Sequence, residues 1–209
     1  MVGGGGVGCR KARSLADAGA SVLVIDTADA SVDMTELCSS FDNIRFECRP
    51  FTEYDLDNLF LVFACTSDHD LNNKIAVMSE SYGVLCNIAD QPEKGHFIVP
   101  ASVCRGDLCV AISTAGKSPA MARRVRAEIG ELIGEEYGTL LTLMGRLRPY
   151  ILDLGLETRQ NTDVFRTLVF SGLADALKKC DLKASQTILE ETLPTPLHNI
   201  IPELLDGLV

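Results

Sequence analysis

Short apolar runs alternate with stretches of helical spacing over roughly the first half of the chain. Residues 22–25, 44–48, 59–65, 84–88, 97–100 and 108–113 read as extended segments, whereas 71–82 repeats its apolar residues at helical spacing. The run at 59–65 is continuously apolar, as in a strand buried on both faces. Strands alternating with helices predict a parallel sheet covered by helices on both faces, an α/β Rossmann-like layer over residues 1–112. From Ser118 onward strand signals cease, and Val125, Ile129, Leu132, Ile133 and then Leu168, Leu173, Leu177 recur at helical spacing. Ser118 followed by Pro119 is a helix start, serine as cap and proline in the first turn. Pro149, Pro194 and Pro196 are expected to punctuate the helices. The second half therefore reads as a helical segment, 113–146, and a C-terminal helical region, 147–209. An amphipathic helix outside a finished sheet needs a partner surface, so 113–146 is expected to form a homodimer.

The chain opens on Gly3, Gly4, Gly5, Gly6, Val7, Gly8, followed by a helix-forming run. Gly3, Gly5 and Gly8 fit G-x-G-x-x-G, in which the glycines allow a tight turn, approach of a pyrophosphate and close helix packing. With Gly6 and Val7 they form the candidate phosphate cradle of a dinucleotide. The next strand ends in Asp26, about twenty residues on, where an acid would bind ribose hydroxyls; helix capping is its bland alternative. Asp26 would repel a 2′-phosphate, and no arginine follows in Thr27, Ala28, Asp29, Ala30, so NAD is favoured over NADP. Only Met1 and Val2 precede the first glycine, too few for the central strand. The expectation is a natural chain extending upstream with an apolar strand, and poor NAD affinity if 1–209 is the whole.

At 209 residues and 46% hydrophobic, the chain can bury a sizeable core. A net charge of −10 excludes nucleic acid as the main partner. No apolar run approaches the roughly 18 residues of a membrane span, and the first residues lack a signal peptide's pattern; a cytoplasmic location without membrane contact follows. The eight cysteines contain no C-x-x-C pair and the three histidines no H-x-x-x-H spacing, so reduced, packed cysteines are expected and no metal site is assigned. Positive charge clusters at Arg10, Lys11, Arg13 and at Lys117, Arg123, Arg124, Arg126.

Ligands of open α/β sheets lie at the carboxyl ends of strands. Those ends carry Thr66 with Asp68, Asn87 with Asp90, and Ser113 with Thr114. Thr66 is a candidate cofactor contact, or with Asp68 and Asn72 a strand-end and helix-cap residue. The segment Ser113, Thr114, Gly116, Lys117, Ser118 leads into a helix N-terminus, which with Arg123 suits an anionic substrate. Asp90 is a candidate base or an organiser of the turn before Pro92. His69 and His96 read as incidental, His96 being a second proton-transfer candidate through its closeness to Asp90 in sequence.

Taken in order, Gly3-Gly4-Gly5-Gly6-Val7-Gly8-Cys9-Arg10-Lys11, Ala64-Cys65-Thr66-Ser67-Asp68, Cys86-Asn87-Ile88-Ala89-Asp90-Gln91-Pro92, Phe97-Ile98-Val99-Pro100-Ala101 and Val110-Ala111-Ile112-Ser113-Thr114 through Arg123 resemble the precorrin-2 dehydrogenase and sirohydrochlorin ferrochelatase family, the N-terminal module of siroheme synthase. The resemblance covers about residues 2–150. Gly8 stands where the family often has alanine, and Thr114 where some members have a serine lining the tetrapyrrole site. The resemblance implies oxidation of precorrin-2 to sirohydrochlorin by NAD, and in some members ferrous-iron insertion. It implies Asp90 in the chemistry, a substrate site including Asn87, Ser113, Thr114, Gly116, Lys117, Ser118 and Arg123, and a homodimer. The family's methyltransferase module is expected to be supplied by another protein. The alternative is a non-catalytic NAD(H)-sensing regulatory module, which leaves the motifs at 86–92 and 111–123 unexplained. A short-chain dehydrogenase is excluded, because no tyrosine has a lysine four residues later.

Overall fold

Strands β1 (Val22–Asp26) and β2 (Ile44–Cys48) pair in parallel, Val22 opposite Ile44 and Asp26 opposite Cys48. Strands β3 (Leu61–Ala64) and β4 (Leu85–Ile88) do the same, Leu61 opposite Leu85. Val2 joins the two pairs, with parallel bridges to Ile25 and Ala64. Val2 N–H donates to Phe63 O and Gly3 N–H to Ile25 O, both at 2.8 Å. The order across the sheet is thus β2, β1, Val2, β3, β4. The central position, which the sequence reading left nearly empty, is held at the ligand end by this one bridging residue. Beside it lies a cleft of about 480 Å³ lined by residues of β1 and β3, among them Val22, Leu23, Leu61 and Val62.

Helices α1 (Gly6–Asp17), α2 (Val32–Ser40) and α3 (His69–Tyr82) cover this sheet. Each boundary has a local cause. Ser31 Oγ accepts from Met34 N–H to start α2, Asp68 accepts from the amides of Asp70 and Leu71 to start α3, and Gly83 at φ 67° ends it. One core gathers Ala12, Ala16, Val22, Val24, Met34, Leu37 and Ile44 beneath α1 and α2. The other gathers Val2, Leu56, Val62, Ala64, Ile75, Val84, Cys86 and Ile88 beneath α3. Full burial of the valine, leucine, isoleucine and methionine side chains among them contributes roughly 1.5–3 kcal/mol each.

The computed structural model describes residues 1–209, the side chain of Pro92 excepted, and divides into Met1–Val99 and Pro100–Val209. The second unit starts with β5 (Ala101–Arg105) and β6 (Leu108–Ile112), paired antiparallel through a two-residue turn at Gly106 and Asp107. This differs from the sequence expectation. Residues 97–100 are not a strand, β5 follows Pro100, and β6 forms a hairpin in place of a further parallel strand. Proline lacks an N–H and so precedes the ladder without interrupting it.

Helices α4 (Pro119–Leu132), α5 (Glu135–Asp153), α6 (Thr158–Phe170), α7 (Leu173–Lys178), α8 (Leu182–Thr192) and α9 (Ile201–Leu205) complete the unit. Pro149 does not punctuate the helices: it lies inside α5. The stripe Leu140, Leu143, Leu147, Ile151 is buried on both sides of that proline, against Leu168, Leu173, Leu189 and Ile201. Tertiary burial thus outweighs one lost backbone hydrogen bond. The expected division at 146 and 147 consequently falls within one continuous helix.

Candidate active site

The end of β1, the glycine turn and the end of β3 enclose a cleft of about 470 Å³, lined by residues including Gly3, Gly5, Gly6, Val7, Asp26 and Thr66. Gly3 has φ 103°, and a Cβ there would stand 2.6 Å from Cys65 O. A Cβ on Gly8 would collide with Gly3 O. The alanine common in the family at that place would therefore require a shift in this chain. Gly5 has open space around it and is the N-cap of α1, whose first turn no side chain caps. Uncapped N–H groups and the helix dipole at an open glycine suit a pyrophosphate.

Asp26 Oδ2 accepts from Gly4 N–H at 2.6 Å and Oδ1 from Ala28 N–H at 3.0 Å. The carboxylate thus braces the glycine turn while lining the cleft. With about four acceptor sites on a carboxylate, two remain for hydroxyl donors. Arg49 also lines the cleft, but its guanidinium is committed to Asp55 in a bidentate pair at 2.7 and 2.8 Å and to Glu47 at 2.7 Å. That pairing holds the Asp55 carboxyl below its usual range.

Thr66 faces the cleft at the end of β3, and the 1% exposed Asn72 ties it to Asp90. Asn72 Oδ1 accepts from Thr66 Oγ1 at 2.8 Å, and its Nδ2 donates to Thr66 O at 3.0 Å and to Asp90 Oδ1 at 3.3 Å. The other oxygen of Asp90 contacts His69 Nδ1. A carboxylate accepts, so Nδ1 donates to it, on a ring whose side chain is 66% exposed. His69, read as incidental, is therefore the histidine beside Asp90.

His96 is not. Its Nδ1 accepts from Cys86 N–H and its own N–H donates to Cys86 O, both at 2.8 Å, which commits it to the backbone of β4. The local signal for His69 was its place just after the Asp68 cap, three residues before Asn72. Closeness in sequence favoured His96 over a residue 21 positions from Asp90.

Asn87 is 3% exposed, donating to Phe97 O at 2.8 Å and accepting from Lys11 Nζ at 3.0 Å. Lys11 turns inward over the Phe63 ring, 5.2 Å from its centroid, while Arg10 and Arg13 stay exposed. Burial lowers the Lys11 pKa and raises that of neighbouring Cys65. Lys11 thereby places a positive charge among the strand ends, beside Asn87.

In the second unit, the loop after β6 is organised by its own hydroxyls. Ser113 Oγ accepts from Ala115 N–H at 3.1 Å, Thr114 Oγ1 bonds Ser118 N–H at 3.2 Å, and Ser118 Oγ caps α4 through Met121 N–H at 3.1 Å. Ala115 and Gly116 both take positive φ, 50° and 76°. Lys117 is exposed in this loop and Arg123 exposed on α4. Of the neighbouring arginines, Arg124 pairs with Glu128 at 2.8 Å and Arg126 donates to Ser102 O at 3.0 Å. The Ser118 cap foreseen from sequence is thus present; these hydrogen bonds leave Lys117 and Arg123 as exposed charges.

No helix among the described residues is long and apolar enough to cross a membrane. Residues 1–101 match the family model described as NAD(P)-binding, and residues 105–132 the model for the sirohaem biosynthesis protein central region. The siroheme synthase of Ectopseudomonas mendocina is 35% identical over 92% of this chain and 41% of its own length. That of Citrobacter koseri is 31% identical over 95% of this chain and 43% of its own length. The chain spans less than half the length of these relatives, and the likeness runs on through the C-terminal helices, beyond the sequence motifs. A solved structure of SirC, precorrin-2 dehydrogenase, shares the fold with a TM-score of 0.72 at 22% identity, over 91% of each chain. The ordered pair of family models and the match along nearly the whole chain place it in the siroheme synthase family, in the part that carries the NAD(P)-binding and sirohaem central regions.

Proposed function

We propose that this chain oxidises precorrin-2 to sirohydrochlorin with NAD, and that Asp90 is its base. The observation that carries the reading is the Asp90 carboxylate, held between Asn72 and His69 at the end of β4 and tied by Asn72 to the wall of the glycine cleft. NAD, when bound, supplies the hydride acceptor. Gly5, Gly6 and Val7 would hold its pyrophosphate and Asp26 its ribose. Asp90 receives the proton that leaves the substrate as hydride departs, and His69, donating its Nδ1–H to the other carboxylate oxygen, orients that base. Within the second unit, Lys117 and Arg123 are exposed cations that suit carboxylates. The test supplies purified protein with precorrin-2 and NAD and follows NADH together with the product spectrum. NAD binding without tetrapyrrole binding or turnover would favour the sensing module instead. Ferrous iron, offered to the product in the same assay, tests metal insertion as a second reaction.

NAD over NADP rests on Asp26 and on the commitment of Arg49 to Asp55 and Glu47, which leaves no arginine of the cleft ready for a 2′-phosphate. Asp26→Ala removes two backbone contacts to a charged acceptor as well as the ribose contact. Each such bond contributes about 1.5–3 kcal/mol, so NAD affinity should fall at least about tenfold. Titration calorimetry checks this, and an unchanged dissociation constant would remove Asp26 from the site. We also read the chain as a homodimer, because α4 has no buried residue despite its apolar stripe. Sedimentation should find a dimer; a monomer at micromolar concentration counts against it.

A further inference from the structure

The β5–β6 hairpin places Cys104 directly opposite Cys109, with their sulfurs 3.4 Å apart and both residues exposed. The register explains the approach. Gly106, at φ 55°, opens a two-residue turn closed by Arg105 and Leu108. In such a hairpin the closing pair exchanges hydrogen bonds, so the next pair outward is non-hydrogen-bonded, with Cα atoms about 4.5 Å apart. That lies within the roughly 4.4–6.8 Å that a disulfide spans. Ser102 and Ala111 form the next pair on the same face and are small, leaving room for the side-chain rotation that bonds the sulfurs. The hairpin is also anchored from behind: Arg105 Nε donates to Ile133 O at 2.9 Å and Nη2 to Gly130 O at 3.0 Å.

We propose that Cys104 and Cys109 form a reversible oxidation site, a solvent-facing dithiol that a low-molecular-weight disulfide converts to a cross-strand disulfide. The thiolate of one cysteine attacks a sulfur of the small disulfide, displacing one small thiol and leaving a mixed disulfide. The second cysteine, deprotonated, attacks the protein sulfur of that mixed bond and displaces the second small thiol. Two protein thiols are oxidised by two electrons, and one small disulfide is reduced to two thiols. In a reducing compartment the pair rests as the dithiol and closes when the small-thiol pool is oxidised. The site is independent of Asp90 and of the glycine cleft. Of the other six cysteines, Cys86 is buried, Cys9, Cys38 and Cys65 are half-buried, and exposed Cys48 and Cys180 lie outside the hairpin, Cys48 with its sulfur 3.7 Å from Thr27 O and from an oxygen of Asp29.

The native full chain is incubated with oxidised glutathione, its remaining thiols are trapped with N-ethylmaleimide under denaturing conditions, and its intact mass is measured. Of the eight cysteines, two should escape labelling and six should label. Dithiothreitol should restore all eight, and peptide mapping should join Cys104 to Cys109. In C104S, Cys109 should hold one stable glutathione adduct in place of the internal bond, because no resolving thiol faces it. Full labelling after oxidation, a bond mapped to another pair, or the same two-thiol loss in the C104S/C109S double variant would overturn the proposal. Serine at these exposed positions keeps the hairpin, which circular dichroism of each variant verifies.

Discussion

Asp90→Ala is expected to lower the rate of precorrin-2 oxidation by about two to four orders of magnitude, the usual contribution of a positioned base, while NAD binds as before. The carboxylate is held by Asn72 and His69 and is not among the residues lining the glycine cleft, so truncating it leaves the dinucleotide contacts standing. Asp90→Asn is the sharper form, because it keeps the shape and the contact with His69 but cannot take a proton. Single-turnover kinetics with saturating NAD separate the chemical step from binding. Turnover by either variant at the unmodified rate would take the base role away from Asp90. A loss of NAD binding in parallel with the rate would show instead that Asp90 organises the strand ends.

Gly3→Ala should unfold or strongly destabilise the first unit. At φ 103° the position lies where side chains are strained by about 1–3 kcal/mol. The added Cβ would also meet Cys65 O at 2.6 Å, overpacking that adds roughly 1–3 kcal/mol. Neither neighbour can give way, since Gly3 N–H is bonded to Ile25 O and Val2 bridges both flanking strands. Against a typical stability of about 5–15 kcal/mol, the loss should move the denaturant midpoint well beyond error. Gly5→Ala is the contrast. Its surroundings are open and its backbone is ordinary, φ −69°. The fold should therefore survive while a methyl group at the mouth of α1 weakens NAD binding. Equal stability of the two variants would refute the steric account of the turn.

The siting of these residues divides by the range over which they interact. The Asp68 cap, the Ser118 cap before Pro119 and Asp26 at the end of β1 were legible because each depends on neighbours within a few residues. The parallel strands 22–26 and 44–48 were legible because continuous or alternating apolar runs mark them. Pro149 was misread because a local rule about proline was applied where a buried leucine stripe decides. The hairpin of β5 and β6 was missed because antiparallel pairing is a relation between two runs, and neither run states its partner.

The glycine spacing, the terminal acid and the ordered strand-end motifs already determined, from sequence alone, a dinucleotide fold and the family to which it belongs. They could do so because tight turns, phosphate cradles and caps require particular residue types at fixed short spacing, whatever lies further away. Tertiary structure alone decided that Val2 bridges the two strand pairs, that Lys11 turns inward to Asn87, that His69 and not His96 meets Asp90, and that Cys104 faces Cys109. Except for the two cysteines, which meet across a tight hairpin, these contacts join residues set apart in sequence by ten or more positions. Such meetings are set by strand register and helix packing, which depend on burial summed over the whole unit and on no single segment.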